Sequence, residues 1–180
     1  MNGWVGAVLD VDLSSGKIEK RPLEQSVATK YIGGRGINSR VLYDEVKPGT
    51  DPFGPENLLL FGTGPLGGTV APSPNRMSVT AKAFYNGLGT SNVGGSFAPE
   101  LKRAGYDQIL FRGKAETPVY LWIDDGQVEI RPAEHLWGKS AWEVDEMIQS
   151  ELGDPKIKVA AIGPGGENLV VFASITFTRY

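Results

Sequence analysis

Glycine interrupts this chain at short intervals: Gly33-Gly34-Arg35-Gly36, Gly62-Thr63-Gly64-Pro65-Leu66-Gly67-Gly68, Asn92-Val93-Gly94-Gly95 and Gly163-Pro164-Gly165-Gly166. With 24 Gly and 12 Pro in 180 residues, the backbone must turn, or lie close to other groups, far more often than usual. Helices are therefore expected to be short and strands to be separated by tight loops. The 41% hydrophobic and 22% charged content is ordinary for a folded globular domain, and the length fits one domain, residues 1–180. Lys+Arg number 18 against 21 Asp+Glu, a net charge of −3, which excludes a basic nucleic-acid footprint. Cysteine is absent, so the segment offers no disulfide, thiolate nucleophile or thiolate ligand for zinc or iron–sulfur. The start carries no basic signal region and no apolar run approaches membrane-spanning length. A cytoplasmic location without membrane or nucleic-acid partners is expected.

Apolar residues at Val5, Ala7, Leu9, Val11 and Leu13 alternate with Asp10 and Asp12, predicting a half-buried strand that turns at Ser15-Gly16 into Lys17–Arg21. Helices are predicted over Glu24–Ile32 and Arg35–Glu45, the second with Ile37, Val41 and Leu42 inward. Asn57–Phe61 reads as a buried strand and Met77–Lys82 as another, followed by a loop over Asn86–Gly95. Ser96 is the expected N-cap of a helix ending at Gly105. Gln108–Arg112, Val119–Ile123 and Gln127–Arg131 are predicted strands, the last two joined by the hairpin signal Asp124-Asp125-Gly126. Ser140 starts a helix ended by Gly153-Asp154-Pro155. Ile157–Ile162 and Leu169–Thr176 are read as strands flanking a turn at Gly163–Gly166. Hairpins outnumber strand-helix-strand crossovers, giving an α+β class with much antiparallel sheet.

Glycine loops let backbone N–H groups converge on an anion, and a following helix N-terminus adds partial positive charge. Asn92-Val93-Gly94-Gly95-Ser96 and Gly33-Gly34-Arg35-Gly36 fit that description. A tight turn and a surface arginine explain the same residues. Neither loop is a Walker A sequence, and Gly62–Gly68 is not a dinucleotide fingerprint. Arg76 follows Pro72-Ser73-Pro74-Asn75, whose prolines stiffen its presentation for bidentate phosphate or heterocycle binding; a plain surface charge is the other reading. His135, the one imidazole, reads as a satisfied loop histidine, the four Trp as core anchors, and Glu100 with Lys102 and Arg103 as a solvated face. No catalytic residue is assigned.

In order along essentially the whole chain, Gly33-Gly34-Arg35-Gly36, Thr63-Gly64-Pro65-Leu66 with Gly68-Thr69, Asn75-Arg76, Asn92-Val93-Gly94-Gly95, Phe97–Asp107, Gly113-Lys114-Ala115 and Ile162–Asn168 resemble the N-terminal domain of the aldehyde:ferredoxin oxidoreductase family. The resemblance implies an α+β fold of two largely antiparallel β-sheets in a pseudo-twofold relation, with short helices. It implies that these form a concave base for a bis-pterin (bis-molybdopterin) cofactor carrying tungsten or molybdenum. It implies an enzyme that oxidises aldehydes to carboxylic acids and passes electrons through a [4Fe–4S] cluster to ferredoxin. By residue, Arg76 matches a pterin-contacting arginine, and Asn92 a position whose backbone carbonyl ligates the Mg²⁺ joining the pterin phosphates. Gly94 and Gly95 match backbone contacts in the same loop, and Arg35 aligns with a family arginine of unassigned role.

The family's cluster-binding cysteines, and its proton-transfer acid and histidine, belong to later domains. A second Arg/Gly-rich phosphate-binding segment is expected just after Tyr180, so the chain reads as a domain fragment. The implied partners are C-terminal domains of a full-length protein, ferredoxin, the aldehyde, and a second copy met through exposed apolar surface. The isolated segment is expected to be inactive. A related branch reduces aromatic thioesters, and a non-catalytic binding or scaffolding module is the alternative of a different class.

Overall fold

The computed structural model describes residues 2–178. In chain order the elements are β1 (Ala7–Asp12), β2 (Lys17–Pro22), α1 (Gln25–Tyr31), α2 (Arg35–Glu45), β3 (Leu59–Thr63), β4 (Met77–Lys82), β5 (Leu88–Val93), α3 (Phe97–Arg103) and β6 (Gln108–Arg112). Then follow β7 (Val119–Asp124), β8 (Gln127–Pro132), a 3-10 turn (Glu134–Leu136), α4 (Ala141–Leu152), β9 (Ala160–Ala161), α5 (Pro164–Glu167) and β10 (Thr176–Phe177). The first six strands form one sheet in the order β2-β1-β6-β3-β4-β5, and β7-β8 and β9-β10 form two-stranded sheets. The expected α+β class with largely antiparallel sheets is what the chain adopts. One pairing differs, since β1 runs parallel to β6, a consequence of bringing the first strand beside one reached only after three helices and four intervening strands.

Both faces of the six-stranded sheet are covered, which the period of two in β1 does not reveal. Leu9, Val11, Phe61, Met77 and Ile109 pack on one face against Ala98 and Leu101 of α3 and half-buried residues of β7 and β8. Val8, on the opposite face, packs with Ala28 and Ile37 of the two N-terminal helices, and Leu60 and Leu110 pack there with Leu42. Val5, outside β1, is exposed. On this helix-covered side Asp10 receives a two-pronged hydrogen bond from Arg112 at 2.9 and 3.0 Å, and Arg112 also pairs with Glu45 of α2 at 2.9 Å. Phe61, Phe97 and Phe177 make an aromatic triangle with centroids 5.1–6.4 Å apart, fastening β10 to the large sheet.

Beyond residue 118 a smaller core of Ala133, Leu136, Val144, Ile148 and Val159 seats α4. Ser140 caps α4 as expected: its hydroxyl accepts from the Glu143 N–H while the Glu143 carboxylate accepts from the Ser140 N–H. Ser140→Ala is expected to cost about 1 kcal/mol, read as a melting temperature lower by roughly 2–4 °C; an unchanged melting curve would refute a stabilising cap.

Several local expectations are corrected. The segment Asn86–Gly95 is not all loop, because Leu88–Val93 pairs with β4 along its length; register with a neighbour outweighs weak intrinsic propensity. Leu169–Thr176 is not a strand: Leu169 lies at φ 57°, the Val170 N–H donates to the Gly165 carbonyl, and only Thr176–Phe177 pairs. Gly163–Gly166 opens the short α5 rather than a simple turn, with Pro164 in its first turn. Ile157–Ile162 keeps strand pairing only at Ala160–Ala161. Ser96 makes no side-chain cap. Of the tryptophans expected as core anchors, Trp137 and Trp142 are instead exposed and Trp122 is half-buried, while half-buried Trp4 does pack against the cluster of Val8, Ala28 and Ile37. Arg179 and Tyr180, the approach to the expected further phosphate-binding segment, lie outside the described residues.

Candidate functional site

Strand register gathers loops that are far apart in sequence. Thr63 at the end of β3 pairs with Met77 at the start of β4, and Met77 pairs with Val93 at the end of β5. Gly64, Arg76 and Gly94 therefore leave the sheet at the same end. The Gly33–Gly36 turn joins them there, because the Gly34 N–H donates to the Thr63 carbonyl at 2.8 Å. That approach requires glycine: a Cβ on Gly33 would lie 2.8 Å from the Thr63 oxygen, and one on Gly36 would overlap the Tyr31 carbonyl. Gly95 serves differently, since it has φ +90° and open space around its Cβ position, so its backbone is held in a left-handed turn with its face uncovered.

The arginines divide cleanly. Arg21 and Arg112 pair with Asp10, Arg40 with Asp44, Arg103 with Glu100 and Arg131 with Glu129. Arg35 and Arg76 are exposed, and among the described residues neither guanidinium has an ion-pair or hydrogen-bond partner. Arg76 directly precedes Met77, which is fully buried, so its base is anchored while its head is free. It stands one residue before β4 and two before Ser78.

Asn92 sits on the open edge, since β5 is the last strand of the sheet. At the other end of the β4–β5 hairpin the Ala83 N–H donates to the Gly87 carbonyl at 2.8 Å, and the register runs unbroken from there to Met77↔Val93. Antiparallel pairs alternate between hydrogen-bonded and non-hydrogen-bonded. Counting from Ala83 and Gly87, the pair Ser78↔Asn92 is of the second kind, so the Asn92 N–H and carbonyl point away from β4, off the edge of the sheet. The Asn92 side chain instead accepts a hydrogen bond from the Ser78 hydroxyl at 3.0 Å.

Two inward-facing polar nodes that sequence reasoning does not reveal hold this end together. Asn38, fully buried on α2, donates to the Leu60 carbonyl at 3.3 Å, the Ser78 carbonyl at 3.1 Å and the Thr80 hydroxyl at 3.0 Å; its own oxygen accepts from Gln108 at 2.7 Å. Its spacing of four from Leu42 is the available signal, as it places both on one helix face. Lys102, which in sequence reads as part of a solvated face, is half-buried with its side chain turned inward: it donates to the carbonyls of Gly3 at 2.5 Å, Gly64 at 3.1 Å and Pro65 at 3.4 Å and lies 3.6 Å from Asp107. Burial pulls its pKa below the usual lysine value, and the Asp107 carboxylate opposes that shift. Asp107 in turn accepts from the Val5 and Gly6 N–H groups.

His135 is remote from these loops in the fold's smaller core region and has a partner, Glu151 Oε2 at 3.0 Å, which agrees with a satisfied loop histidine. Among the described residues no group of three or more His, Asp or Glu is placed to hold a metal ion, and no helix is long and apolar enough to cross a membrane. A metal at this end of the sheet would have to bring most of its own ligands, taking from the chain backbone or neutral side-chain oxygens.

A family model described as aldehyde ferredoxin oxidoreductase, N-terminal domain, matches residues 8–180. The tungsten-containing aldehyde ferredoxin oxidoreductase of Pyrococcus furiosus is 46% identical over 176 residues, covering 97% of this chain and 29% of that protein. The aliphatic sulfonate oxidoreductase WOR-like subunit of the same organism is 39% identical over 190 residues, covering 97% of this chain and 30% of that subunit. Among solved structures, the active site complex BamBC of benzoyl coenzyme A reductase with 1,5-dienoyl-CoA contains a chain superposing with a TM-score of 0.97 at 47% identity, covering 99% of this chain and 27% of that one. The chain thus spans under a third of the length of these relatives, and with a family match along nearly all of it, it belongs to the aldehyde ferredoxin oxidoreductase N-terminal domain family.

Proposed function

We propose that this chain is the cofactor-holding domain of a larger tungsten (or molybdenum) bis-pterin oxidoreductase. The observation that carries the reading is the convergence, at one end of the large sheet, of two unpaired arginines, a glycine loop with open space and an edge carbonyl directed outward. An extended ligand bearing phosphates needs those groups. Arg76 would hold a pterin, Gly94 and Gly95 would offer backbone contacts, and Arg35 would supply a further cation on the same side. The outward Asn92 carbonyl suits Mg²⁺, a hard ion that keeps waters and phosphates as its other ligands. The two edges of the sheet support the same view. β2 is a charged edge, with Lys17, Glu19, Lys20 and Arg21 ending in Pro22, which is how sheets discourage unwanted pairing. β5, Leu-Gly-Thr-Ser-Asn-Val, has no such protection, as befits an edge covered by a ligand.

The bound cofactor supplies the redox chemistry, its tungsten held by pterin dithiolenes; the chain binds and orients it. The [4Fe–4S] cluster, for which this chain has no cysteine, would be held elsewhere in a longer cytoplasmic enzyme, which passes electrons to ferredoxin. The substrate reading is oxidation of aldehydes to carboxylic acids. A second, reduction of an aromatic thioester, has support from the 47% identity to a chain of the benzoyl-CoA reductase complex, level with the 46% to an aldehyde oxidoreductase.

The test is metal and pterin analysis of the intact enzyme purified without oxygen, with assays of ferredoxin-linked aldehyde oxidation and of aromatic acyl-CoA reduction. Tungsten or molybdenum with about two pterins per metal is expected, activity in one assay, and none in either for residues 1–180 alone. An intact enzyme without pterin would overturn the reading in favour of a scaffolding module.

A further inference from the structure

We propose that Ser78 is a positioning residue, acting through the side chain of Asn92 to aim the main-chain carbonyl of Asn92 at the bound cation. The inference rests on the functional reading above and adds to it a residue that does not itself meet the ligand.

The end of β5 is restrained from one side alone. The strand has one neighbour, β4, and is followed by Gly94 and Gly95, around whose Cβ positions nothing lies within 4 Å. Because Ser78↔Asn92 is a non-hydrogen-bonded pair, the peptide that carries the Asn92 carbonyl meets β4 through its other end, the Val93 N–H, in Met77↔Val93, the last pair of the ladder. The bond from the Ser78 hydroxyl to Asn92 Oδ1, 3.0 Å, is the side-chain tie across the strands at that residue, and it pins the ladder one residue before its end. Ser78 is well placed to provide it. It is 7% exposed, and its own carbonyl is gripped by Asn38 at 3.1 Å, which is in turn held by Gln108 at 2.7 Å. A chain of hydrogen bonds, buried as far as Ser78, thus runs from the centre of the sheet to its open edge, and its part-buried last link holds the residue whose carbonyl points outward. Outer groups that orient a ligand typically change metal affinity by about tenfold to a hundredfold when removed.

Thr80 and Thr90 provide an internal comparison. They form the next non-hydrogen-bonded pair along the same ladder, with hydroxyls 3.4 Å apart, but they sit two residues farther from the glycine loop.

The experiment uses the intact enzyme, loaded as purified, and measures bound Mg²⁺ by elemental analysis across a series of EDTA concentrations, alongside pterin content and melting temperature. Ser78→Ala and Asn92→Ala are each expected to lose half their Mg²⁺ at about tenfold less EDTA than the parent. The double variant should be no worse than either, because both remove the same link. Thr90→Ala should match the parent. Asn92→Ala keeps the backbone carbonyl, so a loss there shows that the side chain matters to its aim. A lowered melting temperature with unchanged Mg²⁺ retention would make Ser78 merely structural and sink the proposal. If Arg76→Ala releases pterin while Ser78→Ala and Asn92→Ala keep Mg²⁺, the positioning role fails and the functional reading stands. If Arg76→Ala also keeps its pterin, or the parent holds no Mg²⁺, the reading itself fails and the positioning role with it.

Discussion

Arg76→Ala is expected to strip the intact enzyme of most of its pterin cofactor while leaving the fold untouched. The guanidinium is exposed and has no partner among the described residues, so its removal breaks no internal interaction, and surface changes of that kind stay within about 0.5 kcal/mol. Toward a phosphate or pterin the balance is different. Charge-assisted hydrogen bonds contribute about 1.5–3 kcal/mol each, and removing both prongs of a bidentate interaction corresponds to retention weaker by about a hundredfold at the low end of that range and about ten-thousandfold at the high end. Arg76→Lys should recover only part of it, because an ammonium restores the charge without the planar fork. Pterin and tungsten content per protein, set beside a melting curve, reads both effects. Full cofactor content in Arg76→Ala would remove the arginine from the site.

Asn38→Leu is expected to be the most damaging single change to stability among the residues discussed. It removes the acceptor of Gln108 and the donor to the Thr80 hydroxyl and two carbonyls, all in a region sealed from water. Among the described residues no buried side-chain polar atom lacks a partner, so the substitution introduces a defect that the native chain avoids. Unsatisfied buried groups cost about 1–3 kcal/mol each, and a total near 3 kcal/mol would lower the melting temperature by roughly 6–12 °C for a chain of this size. Pairing it with Gln108→Leu should cost less than the sum of the two, since the second change removes a donor the first had orphaned. A melting temperature within about 2 °C of the parent in Asn38→Leu would show that α2 is held to the sheet by apolar packing alone.

These two residues differ in how visible they are in the sequence. Arg76 stands out because prolines precede it and a strand follows, a local signal. Its lack of a partner, shared with Arg35, emerges only once the other arginines of the described residues have been paired. Asn38 carries a weak helical-spacing signal and no more, because a lone amide between apolar neighbours does not say whether its four bonding positions will be met. Lys102 is the clearest reversal. Its neighbours Glu100 and Arg103 pair at the surface, as a solvated face would, but Lys102 turns inward to three loop carbonyls brought together by segments up to 99 residues apart. The strand over Leu88–Val93 is hidden for a related reason. Glycine, serine and asparagine have little β-preference, and only the register with β4 makes the segment extended.

The sequence by itself determined the α+β class, the two clear hairpins, the capped α4, the lack of any thiolate ligand and the family, because these rest on local backbone chemistry, composition and ordered motifs. Tertiary structure alone decided that β1 lies parallel to β6, that both sheet faces are buried, and that four glycine- and arginine-bearing segments leave one end of the sheet together. It also decided the direction of the Asn92 carbonyl. The physical reason is that register is a relation between strands: it depends on which residues face each other across a ladder, and a chain read in one dimension does not contain that pairing until burial and hydrogen bonding select it.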